Sequence, residues 1–310
     1  FQAEDGIRDC LLSRGLGDVY KRQIVELSLK KFGPPIYVRH EIVHNPWVVK
    51  DLEKKGVIFV DDLEDIPSKE RVIFSAHGVS SKVKEEANNK KMHYIDATCP
   101  LVLKVHFEAK RHFDNGLHIF LIGHKGHPEV DGTMGQIPKE SITLIENEDD
   151  IIQLNESKYD KVSLKTQTTL SVFDTQEIVD ALEKKFPSIL APKKSDICYA
   201  TSNRQLSVQE MSINVDAFFV IGAHNSSNSI RLVETAKKFG CVHSELIENT
   251  DDFDYSTLAE FNTIGLTASA SAPEEQLNMF IDQIKKVYAI EVLNFKEDEN
   301  ITFKIPNFLN

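Results

Sequence analysis

Tryptophan is almost missing from the sequence, with one in 310 residues, and there are only 4 cysteines and 4 methionines. The cysteines Cys10, Cys99, Cys198 and Cys241 are far apart in a long chain with no secretory pattern, which excludes a disulfide framework and favours reduced thiols. No apolar run approaches the roughly 20 residues that span a bilayer, so no membrane partner and a cytoplasmic location are expected. Positive charge is also short, with 36 Lys and Arg against 48 Asp and Glu and a net charge of -12. No basic face emerges to neutralise a phosphate backbone, which excludes a general nucleic-acid binder. Any anionic ligand must be held locally.

At 41% hydrophobic and 27% charged the composition is globular, and 310 residues suit two or three α/β units. Apolar strands alternate with helices throughout. Strands at 36–38, 57–60 and 72–74 are interleaved with helices at 46–55 and 80–89. Helix 101–113, strands 119–122, 143–145 and 162–164 and helix 172–186 repeat the arrangement. A third round runs through helix 205–214, strand 217–221, helix 229–239, strand 263–266 and a last helix ending at Tyr288. No low-complexity linker separates the rounds. The expected fold is therefore α/β, with three similar units of mainly parallel sheet packed around a central cavity. The expected boundaries are 24–98, 99–195 and 196–288, followed by a tail at 289–310 with a β-like run at 301–305.

The polar loops follow apolar strands and precede helices, where parallel sheets bind ligands. Asp96-Ala97-Thr98-Cys99-Pro100 ends a strand in a cysteine at a helix start, and Asp196-Ile197-Cys198-Tyr199 repeats the setting a domain later. Free backbone N–H groups and the helix dipole favour a thiolate there, either as metal ligand or nucleophile. Gly123-His124-Lys125-Gly126-His127-Pro128-Glu129 places two histidines three apart, which is not the helical zinc pattern. Asn225-Ser226-Ser227-Asn228-Ser229 offers short donors at a helix N-terminus, suited to phosphate oxygens and equally to an ordinary cap. Thr166-Gln167-Thr168-Thr169 carries the same ambiguity, and Cys241 reads as a buried hydrophobe. Thiolates drawn from different units suit an iron–sulfur cluster, and zinc would also accept them.

These motifs, with His40-Glu41-Ile42-Val43-His44, Ser75-Ala76-His77-Gly78 and Ala268-Ser269-Ala270-Ser271-Ala272-Pro273, closely resemble the 4-hydroxy-3-methylbut-2-enyl diphosphate reductase (LytB) family from Ile24 to the tail. The resemblance implies three domains around a central 4Fe-4S cluster held by three cysteines, in the last step of the non-mevalonate isoprenoid pathway. It implies reductive removal of the substrate hydroxyl to give isopentenyl and dimethylallyl diphosphates, with electrons from a donor such as ferredoxin or flavodoxin. By motif match Cys99 and Cys198 are cluster ligands, and Glu129 is the proton donor working with Thr168. His44, His77, His127, Ser226, Ser227, Asn228 and Ser271 then hold the diphosphate. The rival readings are a zinc-dependent hydrolase and a non-catalytic diphosphate-binding module.

The first 23 residues depart from the family. They show no helical or strand periodicity, resemble a translated sequencing adapter, and are read as a non-native or artefactual segment. The family has a strand leading into Arg-Gly-Phe-Cys-Ala-Gly, whose cysteine is the first cluster ligand. Arg14-Gly15-Leu16-Gly17 echoes this without the cysteine, and Cys10 lies on the wrong side of the Arg-Gly pair.

Overall fold

The computed structural model describes the backbone at residues 7–9 and 16–294 and the side chains at 21–293. Short apolar runs become strands and amphipathic segments become the crossover helices that parallel pairing requires. Every strand pairing is parallel. Strand β1 (Ile7–Asp9) and helix α1 (Leu16–Phe32) come first. The first complete sheet contains β2 (Ile36–Arg39), β3 (Val57–Val60), β4 (Arg71–Phe74) and β5 (His93–Asp96) in the order β3-β2-β4-β5, with helices α2 (Pro46–Lys54) and α3 (Ser81–Asn89).

Helix α4 (Pro100–Asp114) then leads into a three-stranded sheet of β6 (His118–Ile122), β7 (Ile142–Ile145) and β8 (Val162–Thr166), ordered β7-β6-β8. Its helices are α5 (Pro128–Met134), α6 (Glu148–Ile152) and α7 (Val172–Lys185). The third sheet holds β9 (Ala217–Ile221), β10 (His243–Ile247), β11 (Ile264–Ala268) and β12 (Val292–Asn294), ordered β10-β9-β11-β1-β12. Helices α8 (Tyr199–Ser212), α9 (Ser227–Lys238) and α10 (Glu274–Val287) accompany it. Three parallel-sheet α/β units are thus present, one for each of the three rounds.

The chain divides into two compact units: residues 43–50 and 199–294 with β1 form one, and 21–42 and 51–198 form the other. The first has a core around Phe219, Leu266 and Phe280, and the second has cores around Phe74, Phe120 and Leu121. Strands β8 and β9 are buried along their whole length, as strands covered on both faces should be.

Three local expectations need correction. Helix α1 starts at Leu16 and Ile7–Asp9 pair in a sheet, so regular structure begins before Ile24, where the sequence showed no periodicity. A tertiary contact supplies what periodicity lacks: besides its i,i+4 pair with Glu26, Arg22 ion-pairs with Asp51 at 3.2 Å, just before the buried Ile24 and Val25. Helix α8 starts at Tyr199, six residues earlier than Gln205, because it buries polar side chains and so has no apolar stripe. Its Arg204 donates to the carbonyls of Ala200 at 2.9 Å and Ala268 at 3.1 Å. Strand β10 is absent from the sequence reading because its residues His-Ser-Glu-Leu-Ile form a polar edge strand. The β-like run at 301–305 and Cys10 lie outside the described residues.

Candidate active site

In the unit containing residues 51–198, the loops after β4, β5, β6 and β8 carry the candidate groups. The turn after β6 reverses at Gly126, whose φ of +81° is in the left-handed region. His127 then caps α5, its Nδ1 accepting the Glu129 backbone N–H at 3.2 Å, and Pro128 occupies the first helical position. This turn sinks Glu129 until it is 2% exposed. Glu129 Oε1 accepts the Thr168 backbone N–H at 2.6 Å and Oε2 accepts the Thr168 hydroxyl at 3.0 Å. Burial pushes the carboxyl pKa up to about 7, against the lowering by Thr168's hydrogen bonds and the charge of Lys21, while Asp196 raises it further.

Helix α5 also lies against the loop after β4. A Cβ on Gly132 would meet the Gly78 backbone at 3.2 Å, so only glycine allows this approach without a shift. Gln136 Nε2 clamps the contact, donating to Val79 O at 2.8 Å and Gly132 O at 2.7 Å. The rings of His77 and His127 meet edge to face with centroids 5.9 Å apart. Ser75 Oγ lies 3.4 Å from His77 Nδ1.

Cys99 is the N-cap of α4, with Pro100 at the first helical position, and its N–H donates to Ala76 O at 3.0 Å. Its thiol therefore sits at the positive end of a 15-residue helix. The Cys198 N–H donates to Thr168 O at 2.8 Å, so the second thiol is joined to the residue that holds Glu129. Sequence reasoning missed Gln167. It is 1% exposed, and its Oε1 accepts the His124 N–H at 3.1 Å while its Nε2 donates to Thr169 Oγ1 at 2.8 Å. The only sequence signal was its place in the Thr-Gln-Thr-Thr loop.

In the other unit, Ser226 caps α9, its hydroxyl accepting the Ser229 N–H at 3.3 Å. Ser271 Oγ reaches Ser226 Oγ at 3.5 Å and Ser269 Oγ at 3.1 Å, which gathers three hydroxyls at the carboxyl ends of β9 and β11. Ser227 is the first residue of α9. Asn228 is 4% exposed, and neither its Nδ2 nor its Oδ1 has a partner among the described residues. A buried amide with both ends unsatisfied is costly unless a ligand completes it. His44 precedes Asn45, whose Oδ1 accepts the N–H groups of Trp47 and Val48 at 3.0 and 3.2 Å and whose Nδ2 donates to Gln276 on α10 at 3.0 Å. Asn45, like Gln167, was not singled out from the sequence, whereas Ser269 was among its loop candidates.

Comparison with known proteins adds a family. Residues 21–285 match the family described as LytB protein. The chain belongs to the LytB family. Among relatives of this LytB chain, a protein named 4-hydroxy-3-methylbut-2-enyl diphosphate reductase from Hyphomonas neptunium (strain ATCC 15444) is 51% identical over 288 residues, covering 93% of this chain and 91% of that protein. One of the same name from Ruegeria sp. (strain TM1040) is 49% identical over 288 residues, with the same coverage of each chain. The solved structure of the E-1-hydroxy-2-methyl-but-2-enyl-4-diphosphate reductase from Plasmodium falciparum superposes with a TM-score of 0.93 at 36% identity, covering 98% of this chain and 96% of that one. No helix among the described residues of the LytB chain is long and apolar enough to cross a membrane.

Proposed function

We propose that the chain is a cytoplasmic 4-hydroxy-3-methylbut-2-enyl diphosphate reductase that removes the substrate hydroxyl reductively, releasing isopentenyl and dimethylallyl diphosphates. The reaction consumes two electrons and two protons, breaks the C–O bond, releases water and places a hydrogen on the allylic carbon skeleton. The observation that carries this reading is the buried Glu129 carboxyl, held by Thr168 and with a pKa near 7.

With Oε1 occupied by the Thr168 N–H, the proton of neutral Glu129 belongs on Oε2, facing the Thr168 hydroxyl. In this neutral form the bond that the carboxylate accepts is reversed: Oε2–H donates to Thr168 Oγ1, which passes its own hydrogen to the departing hydroxyl. Burial keeps water from competing with this transfer. The diphosphate is held by the hydroxyls of Ser226, Ser227 and Ser271, the open amide of Asn228 and the helix N-termini, with His44, His77 and His127 supplying further donors.

A 4Fe-4S cluster would supply the electrons when bound, received from a ferredoxin or flavodoxin. Cys99 and Cys198 have the setting of two of its ligands, each thiol at a helix start. Among the described residues there is no group of three His, Cys, Asp or Glu able to hold a metal ion, and Cys99 and Cys198 account for two of the three thiolates such a cluster takes. The segment 1–23, where the family's first ligand belongs, is taken as non-native, and 24–98, 99–195 and 196–288 as the three domains.

The test is an anaerobic assay with 4-hydroxy-3-methylbut-2-enyl diphosphate on the chain with residues 1–23 replaced by a segment carrying the family's Arg-Gly-Phe-Cys-Ala-Gly, reconstituted with iron and sulfide, since the unaltered chain lacks that cysteine and is expected to be a poor enzyme. Glu129→Gln keeps the shape and removes the proton, and turnover is expected to fall roughly a hundredfold or more while diphosphate binding persists. A colourless protein with stoichiometric zinc, or a Glu129→Gln variant with unchanged turnover, overturns the reading.

A further inference from the structure

Lys165 is the last residue but one of β8, and its side chain has no solvent exposure. Its ammonium is 2.6 Å from Glu108 Oε2 and 3.8 Å from Asp196 Oδ2. The Asp196 carboxylate is equally buried, and its Oδ1 accepts Lys104 Nζ at 2.9 Å. Removing an ammonium and a carboxylate from water costs several kcal/mol each after relaxation, and an apolar pair of the same volume commonly serves stability as well or better. Stability alone therefore does not account for this set. Its position does more. Lys104 and Glu108 stand on α4, the helix capped by Cys99. Lys165 stands three residues before Thr168, and Asp196 two before Cys198. The two thiol-bearing segments and the strand presenting Thr168 thus meet on one buried ion network.

We infer that Lys165 is a positioning residue: paired with Asp196 and Glu108, it fixes the loop ending at Cys198 against the end of β8 and against α4, and so sets where the Cys198 thiol stands. The inference rests on the reductase reading only in treating Cys198 as a site residue. Isolated strands do not need an ammonium here, since the position between Leu164 and Thr166 would suit any apolar residue. Without the cation, the Asp196 carboxylate keeps Lys104, which is one-third exposed, and the loop's tie to the end of β8 is reduced to backbone bonds such as the Cys198 N–H to Thr168 O.

The experiment reads thiol geometry and needs no turnover. The full chain is stripped of iron with a chelator under anaerobic conditions and treated with iodoacetamide, and the labelling rates of Cys198 and Cys241 are followed separately by peptide mass spectrometry. Cys241 is 2% exposed in the separate core packed around Val208, Phe218 and Leu232, and it reports general loosening. Lys165→Met keeps the length and removes the charge. It is expected to raise Cys198 labelling threefold or more with Cys241 unchanged. An unchanged Cys198 rate, or parallel rises at both thiols, overturns the inference. Should Lys165→Met fail to fold, Lys104→Met at the exposed end cuts the same loop from α4, with the same two outcomes read in the same way. Loss of reductase activity in an assay leaves these rates untouched, so the two readings fail separately.

Discussion

Both oxygens of Glu129 accept hydrogen bonds from one residue, Thr168, through its backbone N–H at 2.6 Å and its hydroxyl at 3.0 Å. The pair joins the start of α5 to the end of β8, so the carboxyl cannot rotate away from the loop that also binds the Cys198 N–H. A carboxyl so deeply buried and held only by neutral donors keeps its proton near neutral pH. The same two hydrogen bonds stop the pKa from rising further.

Thr168→Val removes the hydroxyl that relays the proton and also one of the bonds lowering the Glu129 pKa. Turnover is expected to fall by roughly a hundredfold, and the alkaline limb of what remains should move to higher pH because Glu129 holds its proton more tightly. Thr168→Ser should restore most of the activity and return the limb to near 7. A pH–rate profile of the three proteins decides this, and a limb that does not move would place the titrating group elsewhere.

Stability should show two opposed pH slopes. Glu129 has its folded pKa raised from 4.5 to about 7, so its contribution is complete below pH 4.5 and is lost as pH rises through 7. His106, buried against Gly78, has its pKa lowered from 6.5 to about 4 by desolvation, so its contribution is complete above 6.5 and is lost as pH falls through 4. Each is worth about 3 kcal/mol, and between pH 4.5 and 6.5 their opposite slopes nearly cancel. Denaturant unfolding of Glu129→Gln should expose the histidine slope alone, with stability climbing from pH 4 to 6.5. A flat curve in that variant contradicts the assignment.

Asn228 has a buried amide with no partner among the described residues. Asn228→Ala should leave stability unchanged or raise it by about 1 kcal/mol, since no internal hydrogen bond is lost. Calorimetric titration with inorganic pyrophosphate should show affinity reduced by about tenfold, one charge-assisted bond's worth. Loss of stability with unchanged affinity would make Asn228 a packing residue.

Iron content tests the ligand set. Anaerobic reconstitution of the chain should load fewer than four irons per protein, and Cys99→Ser or Cys198→Ser should reduce the loading further. Replacing residues 1–23 by a segment with the family's Arg-Gly-Phe-Cys-Ala-Gly should restore it. Full loading of the unaltered chain would show that the missing ligand is supplied from within it.

The sequence alone carried the three parallel sheets, because apolar runs ending in Cys99, Gly123, Thr166 and Gly222 are local signals repeated in the same order. It also singled out Glu129, Thr168 and the serine loops through their position after strands. The edge strand β10 and the polar helix α8 escaped it, since neither has an apolar period, and α1 began eight residues earlier than its pattern. Only the tertiary structure decided that Glu129 is buried on Thr168, that Gln167 anchors the His124 loop and that Lys165 lies in a sheet core. Burial and pairing depend on which segments meet. A lysine at 165, an aspartate at 196 and a glutamate at 108 are separated by up to 88 positions, and nothing local announces that their charges neutralise one another.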